Sequence, residues 1–274
     1  MTAGAGGGFA YATRIEPTWL AVEHVDLTLP RLAGRFDGYR VVQFSDIHMG
    51  YPLDRATLAE IVDTVNAQQP HLVAVTGDFV TDTPEAVADD LVAELSRLRA
   101  DDGVVAVLGN HDEWVGPDVV RQVLRDSGIV DLSNDVLTIS RQGSAFHVAG
   151  VGDVWVRHDR LDIVLANLPV SGSAILLAHE PDFADSSAAS GRFDLQISGH
   201  SHGGQVYLPV LGPLATKPFG RRYPIGLYRV RGMYQYTNRG VGTSGYNIRF
   251  NCRPEVTVFT LHSPLAPAPT SGRA

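Results

Sequence analysis

Short apolar runs alternate with helical apolar patterns through the first two-thirds of the chain, and further short runs without helices follow. The run "RVVQFSDIH" reads as a buried strand, after which Leu58, Ile61, Val62 and Val65 recur at the i, i+3, i+4, i+7 spacing of one helix face. "HLVAVTGD" predicts a second strand. Thr83 and Pro84 then mark a helix start in "TPEAVADDLVAELSRLRA", with Val87, Leu91, Leu95 and Leu98 along one side. "GVVAVLGNHD" predicts a third strand, with a helix from Pro117 to about Asp126 beyond it. "AFHVAGVGDV", "SAILLAHEPD" and "DLQISGHSH" are strand-like, as are "GLYRV", "MYQYTN" and "EVTVFTLH" near the end. This order of elements predicts an α/β sandwich with a second sheet.

Composition narrows the class. At 274 residues, 44% hydrophobic and 19% charged, the chain has material for a sizeable core. A glycine-rich leader is expected over 1–13, a single domain over 14–262, and a Pro/Ala/Ser-rich tail over 263–274. No stretch approaches the roughly 18 apolar residues of a membrane span, and the start shows neither a basic nor an apolar signal region. A cytoplasmic or membrane-peripheral location is the expectation. The net charge of -8 argues against capture of nucleic acid on a broad basic surface. The lone cysteine, Cys252, excludes an intrachain disulfide and any thiolate cluster for metal, and is expected to be a small buried residue.

Five of the apolar runs end in polar clusters: Asp46-x-His48, Gly77-Asp78, Gly109-Asn110-His111-Asp112, His179-Glu180 and His200-x-His202. Ligands of α/β sheets bind beyond the carboxyl ends of the strands, so these groups can converge despite their separation in sequence. In extended backbone, residues two apart address the same side, which suits Asp46 with His48 and His200 with His202. The adjoining glycines allow sharp turns and close approach. One histidine at a strand end is ordinary. Five such ends in series, all with metal-capable groups and none with lysine, point to a metal centre.

The ordered motifs "SDIH", "TGD", "LGNHD", "AHE" and "GHSHGGQ" resemble the calcineurin-like metallophosphoesterase superfamily, over residues 41 to 205. "RFDGYRVVQFSDIHMG", "GGQVYLPVLGP" and "GVGTSGYNIRFNCRPEVTVFTL" extend the resemblance to a subgroup of bacterial cell-wall-associated and membrane-associated phosphodiesterases. The resemblance implies a four-layer αββα sandwich with two mixed sheets. It also implies two divalent ions, one held by Asp46, His48 and His202 and the other by Asn110, His179 and His200, with Asp78 bridging. Manganese is favoured, with iron and zinc as alternatives. A hydroxide between the ions would attack phosphorus in line, and His111 would be the catalytic histidine.

Asp112 is open to two readings, orienting His111 or lying solvated in the loop. Arg249 is a candidate substrate contact, with an internal salt bridge to Glu255 as the alternative. The loop "TKPFGRRYPIG", with Lys217, Arg221 and Arg222, is either a solvated surface loop or a segment that selects substrate or touches anionic lipid. Asp82 and Tyr51 are candidates for the pocket lining. The expected substrate is a small phosphoester, lipid- or nucleotide-linked ones included, and peripheral membrane contact is an open expectation. Two further readings stand beside the phosphodiesterase. One is cleavage of the pyrophosphate of a UDP-diacylglucosamine lipid precursor, which calls for an apolar acyl groove not visible in the sequence. The other is a non-catalytic scaffold of the same fold, which loses ligands where this chain keeps all seven.

Overall fold

The structure, a computed structural model, describes residues 7–50 and 52–264; Tyr51 lies outside the described residues. The first sheet contains β1 (Ala21–Thr28), β2 (Tyr39–Phe44), β3 (Leu72–Thr76), β4 (Val104–Val107) and β5 (Val130–Asp131), together with the last strand, β14 (Glu255–His262). The second contains β6 (Asp135–Arg141), β7 (Ser144–Gly150), β8 (Ser173–Leu177), β9 (Leu195–Ser198), β12 (Gly226–Val230) and β13 (Met233–Thr237). A small hairpin, β10 (Tyr207–Leu208) with β11 (Gly212–Pro213), stands apart from both.

The strands run β1-β14-β2-β3-β4-β5 in one sheet and β12-β13-β9-β8-β7-β6 in the other. Parallel and antiparallel pairs occur in each. In β2, β3 and β4 both faces are apolar, and successive residues divide between two cores. Val42, Phe44, Val73, Val75 and Ala106 face outward. There they meet Leu58, Ile61, Val62 and Val65 of α1 (Arg55–Ala67), Leu91 and Leu95 of α2 (Pro84–Leu95), and Val120, Val123 and Leu124 of the helix Pro117–Asp126.

Val41, Leu72, Ala74, Val105 and Val107 face the other way, against Phe146, Val148, Ile175, Leu177, Leu195 and Ile197 of the second sheet. The outer face of that sheet, with Ala174 and Leu176, packs on Val164, Phe183, Ala184 and Ala188 of short helices. Strands buried on both faces read as continuous apolar runs because no face is left for water. The result is the expected four-layer αββα arrangement with two mixed sheets.

The helix from Pro117 to Asp126 occurs at the expected bounds. It is preceded by a short helix that the apolar pattern did not indicate, α3 (Asn110–Val115), which makes the Pro117–Asp126 helix α4. Within the expected leader, residues 7–13 lie in helical turns, and the carbonyl of buried Ala12 accepts from the Arg249 amide at 2.8 Å. Residues 1–6 and 265–274 lie outside the described residues. No helix among the described residues is long and apolar enough to cross a membrane.

Candidate metal centre

All seven predicted ligands lie just beyond the carboxyl ends of five strands. Asp46 and His48 follow β2, Asp78 follows β3, Asn110 opens α3 after β4, His179 follows β8, and His200 and His202 follow β9. The first three strands belong to one sheet and the last two to the other. All seven side chains are buried.

The backbone reaches this arrangement differently from the extended geometry expected. Each strand ends before its ligands begin, and Asp46, His48, Asp78, His200 and His202 have φ of 54°, 49°, 57°, 67° and 51°. Left-handed backbone at a residue other than glycine costs on the order of 1–3 kcal/mol and persists where the surroundings over-determine it. Here the loops are laced together: Asp46 N–H donates to Gly77 O at 2.9 Å and His48 N–H to Asp78 O at 3.0 Å. Two glycines permit the close approach. A Cβ at Gly109 would collide with the Asp78 carboxylate, and one at Gly199 with Ser45 and Asp46.

Second partners fix which ring nitrogens face inward. His179 Nδ1 lies 2.7 Å from Thr76 O, and His200 Nε2 lies 2.8 Å from Pro218 O. A carbonyl only accepts, so those two nitrogens carry the protons. The opposite nitrogens, His179 Nε2 and His200 Nδ1, face each other across 3.3 Å. Asp78 Oδ2 joins them, 3.3 Å from His179 Nε2. The same oxygen is 3.4 Å from His48 Nε2. That nitrogen lies 3.2 Å from His202 Nε2, which in turn lies 3.2 Å from Asp46 Oδ1. Three groups of donor atoms result, Asp46–His48–His202, Asp78–His179–His200 and, joining them, His48–Asp78–His111. Asp78 Oδ2 and Asn110 Oδ1 are buried with no hydrogen-bond partner among the described residues.

The electrostatics agree with a site built for positive charge. Burial would raise the Asp46 carboxyl, but His202 and His179 hold it below the usual carboxylate range. Burial would lower the His179 imidazole, yet the facing Asp78 charge lifts it well above its ordinary value. Burial, then the charges of His179 and Lys217, push His200 down to about 3, and burial with Lys217 brings His202 down to about 4.

His111 sits at the rim, half-buried, with its amide donating to Asp78 Oδ1 at 3.0 Å. Its Nδ1 lies 3.3 Å from Thr81 O, and Nε2 has no hydrogen bond among the described residues. Asp112 follows neither reading. It is buried, and its carboxylate accepts from the amides of Asp78, Gly109 and Phe79 at 2.9 Å and of Val80 at 3.2 Å. It holds two site loops in place and does not orient the His111 ring.

The expectation that Arg249 contacts substrate is corrected. Its guanidinium is buried and donates to the carbonyls of Cys252, Arg239, Gly240 and Gly242. Glu255 pairs instead with Arg239, at 2.5 Å. Gly242 N–H donates to Asp46 O at 2.8 Å, so Arg249 braces a loop that backs Asp46. Arg249→Met leaves those carbonyls without their donor. It is expected to lower the stability to urea unfolding by about 2–3 kcal/mol.

Asp82 is exposed; the residue beside it, Thr81, makes the site contacts. Cys252 is buried and its thiol donates to His202 O at 3.1 Å. The sequence reading missed an aromatic wall. Trp155 beyond β7 packs against His200, with ring centroids 5.8 Å apart, and against Trp114 at 5.2 Å, which reaches His111 at 5.1 Å. The signal was a sixth strand end, "AGVGDVW", which lacks histidine and so did not register. Glu180 supports this wall by accepting from the amides of Val154 and Trp155 at 3.2 and 3.4 Å.

Residues 39–204 match the model of the calcineurin-like phosphoesterase family, more than half of the chain. The chain is 34% identical to the uncharacterized metallophosphoesterase YkuE of Bacillus subtilis, over 94% of this chain and 91% of that protein. It is 31% identical to the phosphodiesterase YaeI of Escherichia coli, over 93% of each. The solved 5'-nucleotidase precursor of Thermus thermophilus aligns at 17% identity with a TM-score of 0.49, over 74% of this chain and 49% of that one. With its ordered strand-end motifs inside the matched region, the chain belongs to the calcineurin-like phosphoesterase family and is a metal-dependent phosphoester hydrolase.

Proposed function

We propose that the protein hydrolyses phosphate diesters at a two-metal site, with Asp46, His48 and His202 holding one ion, Asn110, His179 and His200 the other, and Asp78 both. The observation that carries this reading is the convergence of metal-capable donor atoms. His179 Nε2 lies 3.3 Å from both His200 Nδ1 and Asp78 Oδ2, and Asn110 Oδ1 has no partner among the described residues. Acceptors buried in this way need a cation. The donor set of carboxylate, amide and imidazole, free of sulfur, accommodates manganese, iron or zinc, and manganese is favoured. When bound, two such ions supply Lewis acidity toward phosphoryl oxygens and a water activated as nucleophile.

The residues of the chain provide the rest. His111 Nε2 stands free at the rim and gives a proton to the leaving oxygen as the phosphorus–oxygen ester bond breaks, so one diester and one water become a monoester and an alcohol. Trp114 and Trp155 wall one side of the site, beside His111 and His200. The name of YaeI, a phosphodiesterase, supports diesters as the substrate class.

The protein, stripped of metal and reloaded with manganese, zinc or iron, is expected to turn over bis-p-nitrophenyl phosphate faster than p-nitrophenyl phosphate. His111→Gln is expected to lower kcat by about 10²- to 10⁴-fold, with bound metal unchanged. Metal-loaded protein inert to both esters would overturn the proposal in favour of a scaffold.

A further inference from the structure

Beside His202 lies a cavity of about 400 Å³ whose walls the hydrolytic reading above leaves without a role. Val206, Leu214, Ala215, Tyr246 and Ile248 line it, and most of its surface is apolar. Lys217 and His202 both belong to its lining, and the Lys217 charge acts on the His202 ring. The ammonium nitrogen of Lys217 is buried and has no hydrogen-bond partner among the described residues. In the same loop the backbone amides of Arg221 and Arg222 donate to Asp182, and the Arg222 guanidinium pairs with Asp185. Lys217 lies close enough to the donor clusters for the charges of Asp78 and Asp46 to act on it.

A buried ammonium without a counter-charge in contact is costly, and the cost is recovered when an anion arrives. The anion that reaches this position, between an apolar chamber and the donor clusters, has a charged head on one side and an uncharged body on the other. We propose that the cavity is the subsite for one ester arm of the substrate, that this arm is an uncharged apolar group, and that Lys217 takes a non-bridging phosphoryl oxygen. The inference rests on the phosphodiesterase reading and adds the class of substrate. Lys217 supplies a point charge to the phosphoryl group, and the chamber selects by apolar burial. Leu214 is 67% exposed, so the arm covers apolar surface that water now meets.

The test uses the manganese-loaded protein and a series of p-nitrophenyl alkyl phosphates from methyl to octyl. In wild type kcat/KM is expected to rise by about three- to fourfold for each methylene buried, and to level off once the chamber is filled. Leu214→Glu puts a charge in the wall at an exposed position and is expected to flatten the octyl-to-methyl ratio. That ratio is indifferent to any general loss of activity or folded protein. Lys217→Gln is expected to lower kcat/KM for every member by a common factor of about 10–100, with the chain-length ratio kept and with partial rescue in Lys217→Arg. Turnover that is flat with chain length in wild type overturns the apolar subsite and leaves the phosphodiesterase reading intact. Lys217→Gln with undiminished kcat/KM overturns the role of the lysine. No turnover of any member removes the reading and the inference together.

Discussion

Asp78→Ala is expected to abolish phosphodiester turnover and to empty both halves of the proposed metal site. Asp78 Oδ2 lies between the two donor clusters, 3.4 Å from His48 Nε2 and 3.3 Å from His179 Nε2. Without it each half keeps only neutral imidazoles and an amide, or imidazoles with Asp46. Charge stabilisation by metal ions is worth several kcal/mol in a transition state, and at about 1.36 kcal/mol per decade the loss amounts to roughly a thousandfold or more. Alanine also disfavours the φ of 57° at this position. Asp78→Asn controls for that, because asparagine tolerates left-handed backbone and keeps one carbonyl oxygen while removing the charge. Both variants are expected to lose turnover of bis-p-nitrophenyl phosphate and to bind less manganese than wild type by elemental analysis. A fully active Asp78→Asn variant that retains its metal would remove the bridging carboxylate from the reading.

The layers and the chemistry-bearing strand ends were legible because they depend on local signals. A strand covered on both faces must be apolar throughout, so "RVVQF", "LVAV" and "AILL" announce themselves, and the polar residues after them stand out. What escaped depends on distance in sequence. The last strand, β14, inserts between β1 and β2, a pairing set by packing of segments more than 200 residues apart. The convergence of Asp46 with His48 was anticipated, but its cause was not. The side chains meet through left-handed loops held by neighbouring loops, which no two-residue spacing reveals. Arg249 shows the limit most plainly. An arginine in a functional motif reads as a phosphate contact until its four carbonyl partners are seen, three of them on the loop 239–242 and one at Cys252. Trp155 likewise reaches the site only through the loop that carries it, whose path follows no apolar period.

Asp112→Ala is expected to be the most destabilising single change in the motif region, although its carboxylate touches neither donor cluster as a ligand. Four backbone amides, those of Asp78, Phe79, Val80 and Gly109, donate to this one buried group at 2.9–3.2 Å. They belong to the two loops that carry Asp78 and Asn110, and no water reaches the side chain to replace it. Each buried donor left unmade costs about 1–3 kcal/mol. Partial collapse of the loops recovers some of this, and a net loss of about 3–5 kcal/mol in urea unfolding is the expected result. Asp112→Asn separates charge and shape: its amide oxygen still accepts, but its NH2 group faces donors where the second oxygen stood. It is expected to fall between wild type and Asp112→Ala. Activity should track metal occupancy in both variants, because the loops position Asp78 and Asn110 and the carboxylate itself holds no substrate. If Asp112→Ala unfolds at the wild-type urea midpoint, the four amides must have another partner and the bracing role assigned to Asp112 is wrong.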